Sequence, residues 1–284
     1  MSRIEMAMEK AARLREEGKG AQPAAPEQPN QPASNRPVPG AVHTAPPVAA
    51  RALAPKNPFL VNLLEPHSVA AEEYRKLKSA LVKLTEGETF KNTIMVSSAV
   101  SGEGKSLTAL NLALCLAQGL DHTVLLIDAD LRRPSLHRYL DLEQGPGLAE
   151  VLMDEAEIGE TLVATGLGKL SVIRAGRQVD NPTELFSSLK MKGLVEELKL
   201  RYPDRYVIFD TPPLLPFAES RSLARLVDGV LFVVMERLAS QAEVKDALDA
   251  IKGSALLGVV YNAACVNSAD EHYYYYRNKG GANG

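Results

Sequence analysis

The stretch Thr93-Ile94-Met95-Val96-Ser97-Ser98-Ala99-Val100-Ser101-Gly102-Glu103-Gly104-Lys105-Ser106 decides the fold. Thr93–Ser97 reads as a short apolar β-strand, and Lys105–Gln118 as a helix. The small residues and glycines between them let backbone N–H groups curl around phosphate oxygens. The helix N-terminus adds partial positive charge to that cradle. A strand, a glycine-rich loop and a helix in this order predict a P-loop, with ATP held by Ser101, Gly102, Glu103, Gly104, Lys105, Ser106 and Leu107. Lys105 is expected to meet the β and γ phosphates, and the Ser106 hydroxyl to ligate Mg²⁺. The first glycine of the usual G-x-x-x-x-G-K-S pattern is Ala99 here. The position of the segment between strand and helix compensates for that departure.

Outward from the loop, apolar runs alternate with helical ones. Strands are expected at Thr123–Asp128, Leu170–Arg174, Tyr206–Asp210, Gly229–Met235 and Leu256–Asn262. Helices are expected at Ser68–Leu84, Leu148–Met153, Thr183–Ser188, Met191–Arg201, Ala218–Leu226 and Ser240–Ile251. Runs such as Val124-Leu125-Leu126-Ile127 and Val230-Leu231-Phe232-Val233-Val234 are apolar throughout. Strands covered on both faces look like this, so an α/β P-loop NTPase fold follows, with a mainly parallel sheet and helices on each side. Two of these strands end in acids, as Ile127-Asp128-Ala129-Asp130 and Phe209-Asp210-Thr211-Pro212-Pro213. Acids at the carboxyl edge of the sheet lie where ligands of open α/β folds bind. Asp210 fits an acid oriented on Mg²⁺.

Composition bounds the rest. The chain has 284 residues, 24% of them charged, and its net charge of −3 exerts no global pull toward nucleic acid. With two cysteines, Cys115 and Cys265, and scattered histidines, no zinc spacing occurs. Cys115, inside an apolar helical run, is expected to be buried. No apolar stretch reaches the ~18 residues of a membrane span, and the first residues lack the apolar core of a signal peptide. A cytoplasmic setting is expected, with recruitment to the inner face of the membrane through a partner. Residues 1–20 are expected to form a short amphipathic helix over 4–17. Residues 21–58, with 10 of the 18 prolines, read as an extended, unfolded linker. The globular domain is expected over 59–266 and a flexible tyrosine-rich tail over 267–284.

The P-loop, the run Leu126-Ile127-Asp128-Ala129-Asp130-Leu131-Arg132-Arg133-Pro134 and Phe209-Asp210-Thr211-Pro212-Pro213 resemble the three Walker motifs of bacterial tyrosine kinases. These kinases regulate capsule and exopolysaccharide synthesis. Asn181-Pro182-Thr183-Glu184-Leu185 and the tail also look like family segments, and the N-terminal region is similar to the exosortase-associated subgroup. The resemblance implies an autokinase in which Lys105 and Ser106 serve the phosphates and Mg²⁺. By the same resemblance Asp128 and Asp210 organise the metal, and Asp130 acts as base toward the acceptor tyrosine. Arg132 and Arg133 read either as groups meeting developing charge or as a solvated turn. The family's Glu-x-x-Arg-x-x-Arg helix, which packs subunits into a ring, matches Glu72, Arg75 and Lys78. Lysine at the last position lacks arginine's bidentate fork. Further partners implied are a membrane polysaccharide co-polymerase as activator and a tyrosine phosphatase.

Tyr273, Tyr274, Tyr275 and Tyr276 stand in one run between polar and charged residues, with no core to enter. They are the expected phosphoacceptors. Two other readings share the motifs: a partitioning or division-site ATPase switch, and a nucleotide-dependent scaffold. The former usually carries a second lysine where this chain has Val100.

Overall fold

The computed structural model describes residues 52–87, 89–201 and 204–265. The expected N-terminal helix, most of the linker and the tyrosine run lie outside them. The strands are β1 (Thr93–Ser98), β2 (Thr123–Asp128), β3 (Leu162–Ala164), β4 (Leu170–Ile173), β5 (Arg205–Asp210), β6 (Gly229–Met235) and β7 (Leu256–Asn262). The helices are α1 (Val61–Leu64), α2 (Val69–Thr85), α3 (Lys105–Ala117), α4 (Leu136–Tyr139), α5 (Leu148–Leu152), α6 (Ile158–Thr161), α7 (Pro182–Phe186), α8 (Leu189–Arg201), α9 (Ala218–Ala224) and α10 (Gln241–Ala250). One sheet runs in the order β3-β4-β2-β5-β1-β6-β7. Its pairings are parallel except that of β3 with β4. The α/β architecture with a mainly parallel sheet, expected from the apolar runs, is what the chain adopts.

Successive side chains of a strand face opposite sides of the sheet, and here both sides are covered. Met95, Ile127, Phe209 and Phe232 enter one core, with α5 and α7–α10. Ile94, Val96, Leu126 and Ile208 enter the other, with α2 and α3. That is why these strands show no polar alternation.

Ten consecutive residues of α3, Thr108 to Ala117, are buried. Strands lie on one side of it and α1 and α2 on the other, so it is buried around its girth and apolar but for Thr108 and Asn111. Cys115 is buried there. One polar tie crosses this packing. Asn62 donates its side-chain N–H to the Asn111 carbonyl at 3.1 Å, while Asn111 Nδ2 donates to the Phe59 carbonyl at 2.8 Å. At the start of α2 the Ser68 hydroxyl accepts from the Ala71 N–H at 3.1 Å, closing the helix end as its residue type suggests.

The topology places the site. β5 is inserted between β1 and β2, with Val96 opposite Asp210 on one side and Asp128 opposite Asp210 on the other. The two strand-end acids therefore stand side by side at the carboxyl edge, next to the loop that leaves β1.

Candidate active site

The loop from β1 to α3 turns through two left-handed residues, Gly102 (φ +90°) and Gly104 (φ +85°). Ala99 has no positive φ, so its methyl group fits where the usual pattern has glycine. A Cβ on Gly104 would lie 2.1 Å from Asn262 Nδ2, so only glycine fits there. Ser101 and Gly102 are exposed at the tip, and Gly104, Lys105, Ser106 and Leu107 are half-buried. Backbone N–H groups at the start of α3 and the Lys105 ammonium thus face one small region, a suitable seat for phosphate oxygens.

Glu103 behaves differently from its neighbours. Its side chain is fully buried, and its carboxylate accepts from the Val100 N–H at 2.8 Å and the Met235 N–H at 3.3 Å. Asn262 Nδ2 donates to the Glu103 carbonyl at 2.9 Å. The ends of β6 and β7 thereby brace the loop. Glu103 belongs to the cradle as scaffolding, with its carboxylate taken up by the Val100 and Met235 N–H groups.

Three acids gather beside the loop. Asp128 accepts from the N–H groups of Ser135 and Leu136, both at 3.0 Å, and of Asp130 at 3.2 Å. Burial pushes its pKa up to about 6, with the charge of Asp130 adding to the rise and the backbone donors opposing it. Asp130 Oδ1 accepts from the Arg133 N–H at 2.9 Å, closing a tight turn, and Oδ2 lies 3.9 Å from Lys105 Nζ. Asp210 is fully buried and neither carboxylate oxygen has a hydrogen-bond partner. Burial pushes its pKa up to about 8; Lys105 and the nearby Ser106 hydroxyl oppose the rise, and Asp128 and Asp130 add to it.

Two unpaired carboxylate oxygens beside a phosphate cradle suit a divalent cation that keeps its waters and phosphate ligands. Among the described residues no group of three or more His, Cys, Asp or Glu forms a cage of its own. Mg²⁺, which is bound through one or two carboxylates with substrate phosphates, fits that donor set; Asp210 and Ser106 would hold it. Asp128, whose oxygens are engaged by backbone, is better placed to shape the site than to bind a cation directly.

Around the acids lies a second set of contacts. Arg132 Nε donates to Glu219 Oε1 at 2.5 Å, and its guanidinium lies over the Phe217 ring at 4.9 Å. Glu219 Oε2 accepts from the Thr183 hydroxyl at 3.0 Å. Of the two arginines after Asp130, the first is thus anchored and the second is exposed. Farther off, on α2, Arg75 pairs with Glu72 at 2.6 Å and also donates to the Pro66 carbonyl at 2.8 Å. Lys78 folds back to donate to the Cys115 carbonyl at 3.1 Å, near the C-terminal end of α3.

Residues 94–273 match the family model described as the CobQ/CobB/MinD/ParA nucleotide binding domain. The tyrosine-protein kinase YwqD of Bacillus subtilis is 36% identical over 219 residues, covering 76% of this chain and 90% of that protein. The succinoglycan biosynthesis transport protein ExoP of Rhizobium meliloti is 32% identical over 212 residues, which are 73% of this chain and 26% of ExoP. Among solved structures, the kinase domain of the Escherichia coli tyrosine kinase ETK superposes with a TM-score of 0.68. It is 30% identical, over 76% of this chain and 86% of that one.

Proposed function

The chain belongs to the bacterial tyrosine-kinase family, within the CobQ/CobB/MinD/ParA nucleotide-binding class, and from that premise we propose that it autophosphorylates its tail tyrosines, Tyr273–Tyr276. It is a protein-tyrosine kinase with a nucleotide-binding P-loop. The observation that carries the finer reading is the convergence of Lys105, Asp130 and the unpaired Asp210 where β1, β2 and β5 end.

ATP is the phosphoryl donor in this reading. The tyrosine oxygen attacks the γ-phosphorus, and the bond from that phosphorus to the β,γ-bridging oxygen breaks to release ADP. The phenolic proton passes to Asp130, whose turn and half-buried Lys105 neighbour fix its place. Lys105 offsets charge on the transferring group. Mg²⁺, when bound, neutralises phosphate charge. Asp210 and Ser106 would hold it, and Asp128 fixes the backbone after β2 through the N–H groups of Asp130, Ser135 and Leu136.

The name of ExoP supports a role in exopolysaccharide synthesis and export. In that role the kinase is recruited to the inner face of the membrane by a polysaccharide co-polymerase and reset by a tyrosine phosphatase. No described helix is long and apolar enough to cross a membrane itself. Self-association through the outer face of α2, with Glu72 and Arg75, places the tail of one copy at the site of another. Phosphates on that tail, each about −1.5 to −2 charges, would be repelled by the three acids and release it.

Incubation of the pure chain with ATP and Mg²⁺, followed by peptide mapping, tests this. Label is expected on Tyr273–Tyr276, and replacing all four by Phe should lower it at least about tenfold, the size expected when the dominant nucleophile is removed. Equal label in that variant would remove the tail as acceptor, and ATP hydrolysis without label would favour a nucleotide switch. Light scattering of the same samples should show smaller particles after phosphorylation and larger ones after phosphatase treatment. An unchanged size would rule out the release step.

A further inference from the structure

The buried acid Glu219 has no part in the three motifs, yet it reaches two of the segments that build the site. It is 1% exposed. One oxygen is bonded to Arg132, two residues beyond Asp130, and the other to Thr183 at the start of α7. Glu219 itself lies at the start of α9, which follows the loop leaving Asp210. Phe217, two residues before it, carries the Arg132 guanidinium on its ring. A single carboxylate therefore links the chain after Asp130, the chain after Asp210 and the Asn-Pro-Thr segment.

From this we infer that Glu219 is a positioning residue for phosphoryl transfer, acting through Arg132 to hold the Asp130 turn against the P-loop lysine. The inference rests on the proposed reaction and on two physical arguments. A buried ion pair contributes little net stability beyond what well-packed apolar side chains of similar volume would, so its distinctive contribution here is direction. The backbone of the Asp130 turn is held from within by the Asp128 carboxylate and by the Arg133 N–H, while Arg132 is the side chain that ties the turn to α9. Transfer chemistry is sensitive to this geometry, because a displacement near 1 Å at the reacting groups costs on the order of 10²-fold in rate. Nucleotide binding depends instead on the loop and α3, whereas the Glu219 carboxylate is bonded to Arg132 and Thr183.

The test compares the full chain with Glu219→Gln, Arg132→Lys, Arg132→Met and the apolar pair Arg132→Met/Glu219→Leu. Four readouts are taken: phosphotyrosine formation at saturating ATP, ATP hydrolysis to water, affinity for a fluorescent ADP analogue, and thermal midpoint. Glu219→Gln and Arg132→Met are expected to lower transfer and hydrolysis by about 10- to 100-fold with ADP affinity within about threefold. Arg132→Lys, which keeps the charge and loses the fork, should recover part of that loss. The apolar pair should melt near the wild type and remain slow. Unchanged turnover in folded Glu219→Gln overturns the inference. So does a loss of turnover that tracks ADP affinity or melting across the series, which would make the contact merely structural. If the wild type hydrolyses ATP without labelling tyrosine, the kinase reading of the tail fails, while hydrolysis still reports whether Glu219 positions the site.

Discussion

Replacing Lys105 by Met is expected to reduce phosphotyrosine formation by at least about 10²–10³-fold while the domain stays folded. The side chain is 13% exposed, and its ammonium lies 3.9 Å from Asp130 Oδ2 and opposes protonation of Asp210. Two losses combine. The transferring phosphoryl group loses the charge that stabilises it in the transition state, where such groups matter most. The acids also lose the cation that opposes their protonation, so Asp210 holds its proton more tightly. A substitution that acts on the transition state lowers turnover more than it weakens nucleotide binding. The measurement is the initial rate at saturating ATP set beside ADP affinity. A rate within about tenfold of wild type would remove Lys105 from the chemistry.

Asp210→Asn is expected to split stability from activity. Turnover should fall by about 10²–10³-fold, the scale seen when one charge-stabilising group is removed. The nucleotide-free protein, by contrast, should gain about 1–3 kcal/mol at pH 8, because a buried carboxylate with two unpaired oxygens is removed. The pH dependence follows from the direction of the shift. With a folded-state pKa raised to about 8, the folded protein keeps a proton that the unfolded chain releases near pH 4. Stability contributed by this group is therefore full below about pH 4 and is lost as pH rises toward 8. Asp128, raised to about 6, acts in the same sense over the lower part of that window. Urea midpoints at pH 5 and pH 8 test the prediction. The wild type should weaken more than the variant on going to pH 8, and parallel losses in the two proteins would refute it.

The fold was legible because its signals are local. Thr93–Ser98, Thr123–Asp128 and Arg205–Asp210 are short, apolar and closed by loops or acids, so the sequence shows both the strands and the edge at which Asp128 and Asp210 meet. β3 was not legible, since its three residues show no period and are held by pairing with β4 at the sheet edge. The site divides the same way. Lys105, Ser106 and the strand-end acids carry a pattern, whereas Glu219 and Arg132 lie 87 positions apart, and Asn262 and Glu103 lie 159 apart. Contacts of that separation are fixed by the packed sheet, and nothing in either neighbourhood announces them. Glu103 is a charged residue between two loop glycines, and nothing beside it announces that its side chain is buried. Its burial depends on donors from Val100 and from β6.

Among the described residues the chain is last held at Cys265, three positions beyond the bond from Asn262 to the Glu103 carbonyl; its N–H donates to Glu236 Oε2 at 2.6 Å, and the leash to the tail starts there. Eight peptide steps lead from Cys265 to Tyr273 and eleven to Tyr276, spans of at most roughly 29 and 40 Å for a fully extended chain. The reach of every tail tyrosine is therefore measured from the end of β6, beside the nucleotide loop. In the proposed reaction, a neighbouring copy whose site lies inside that radius would meet the tail at an effective concentration set by tether length. A copy beyond the radius meets it only at bulk concentration. Lengthening the leash would therefore change which copies can exchange phosphate without altering one atom of the site.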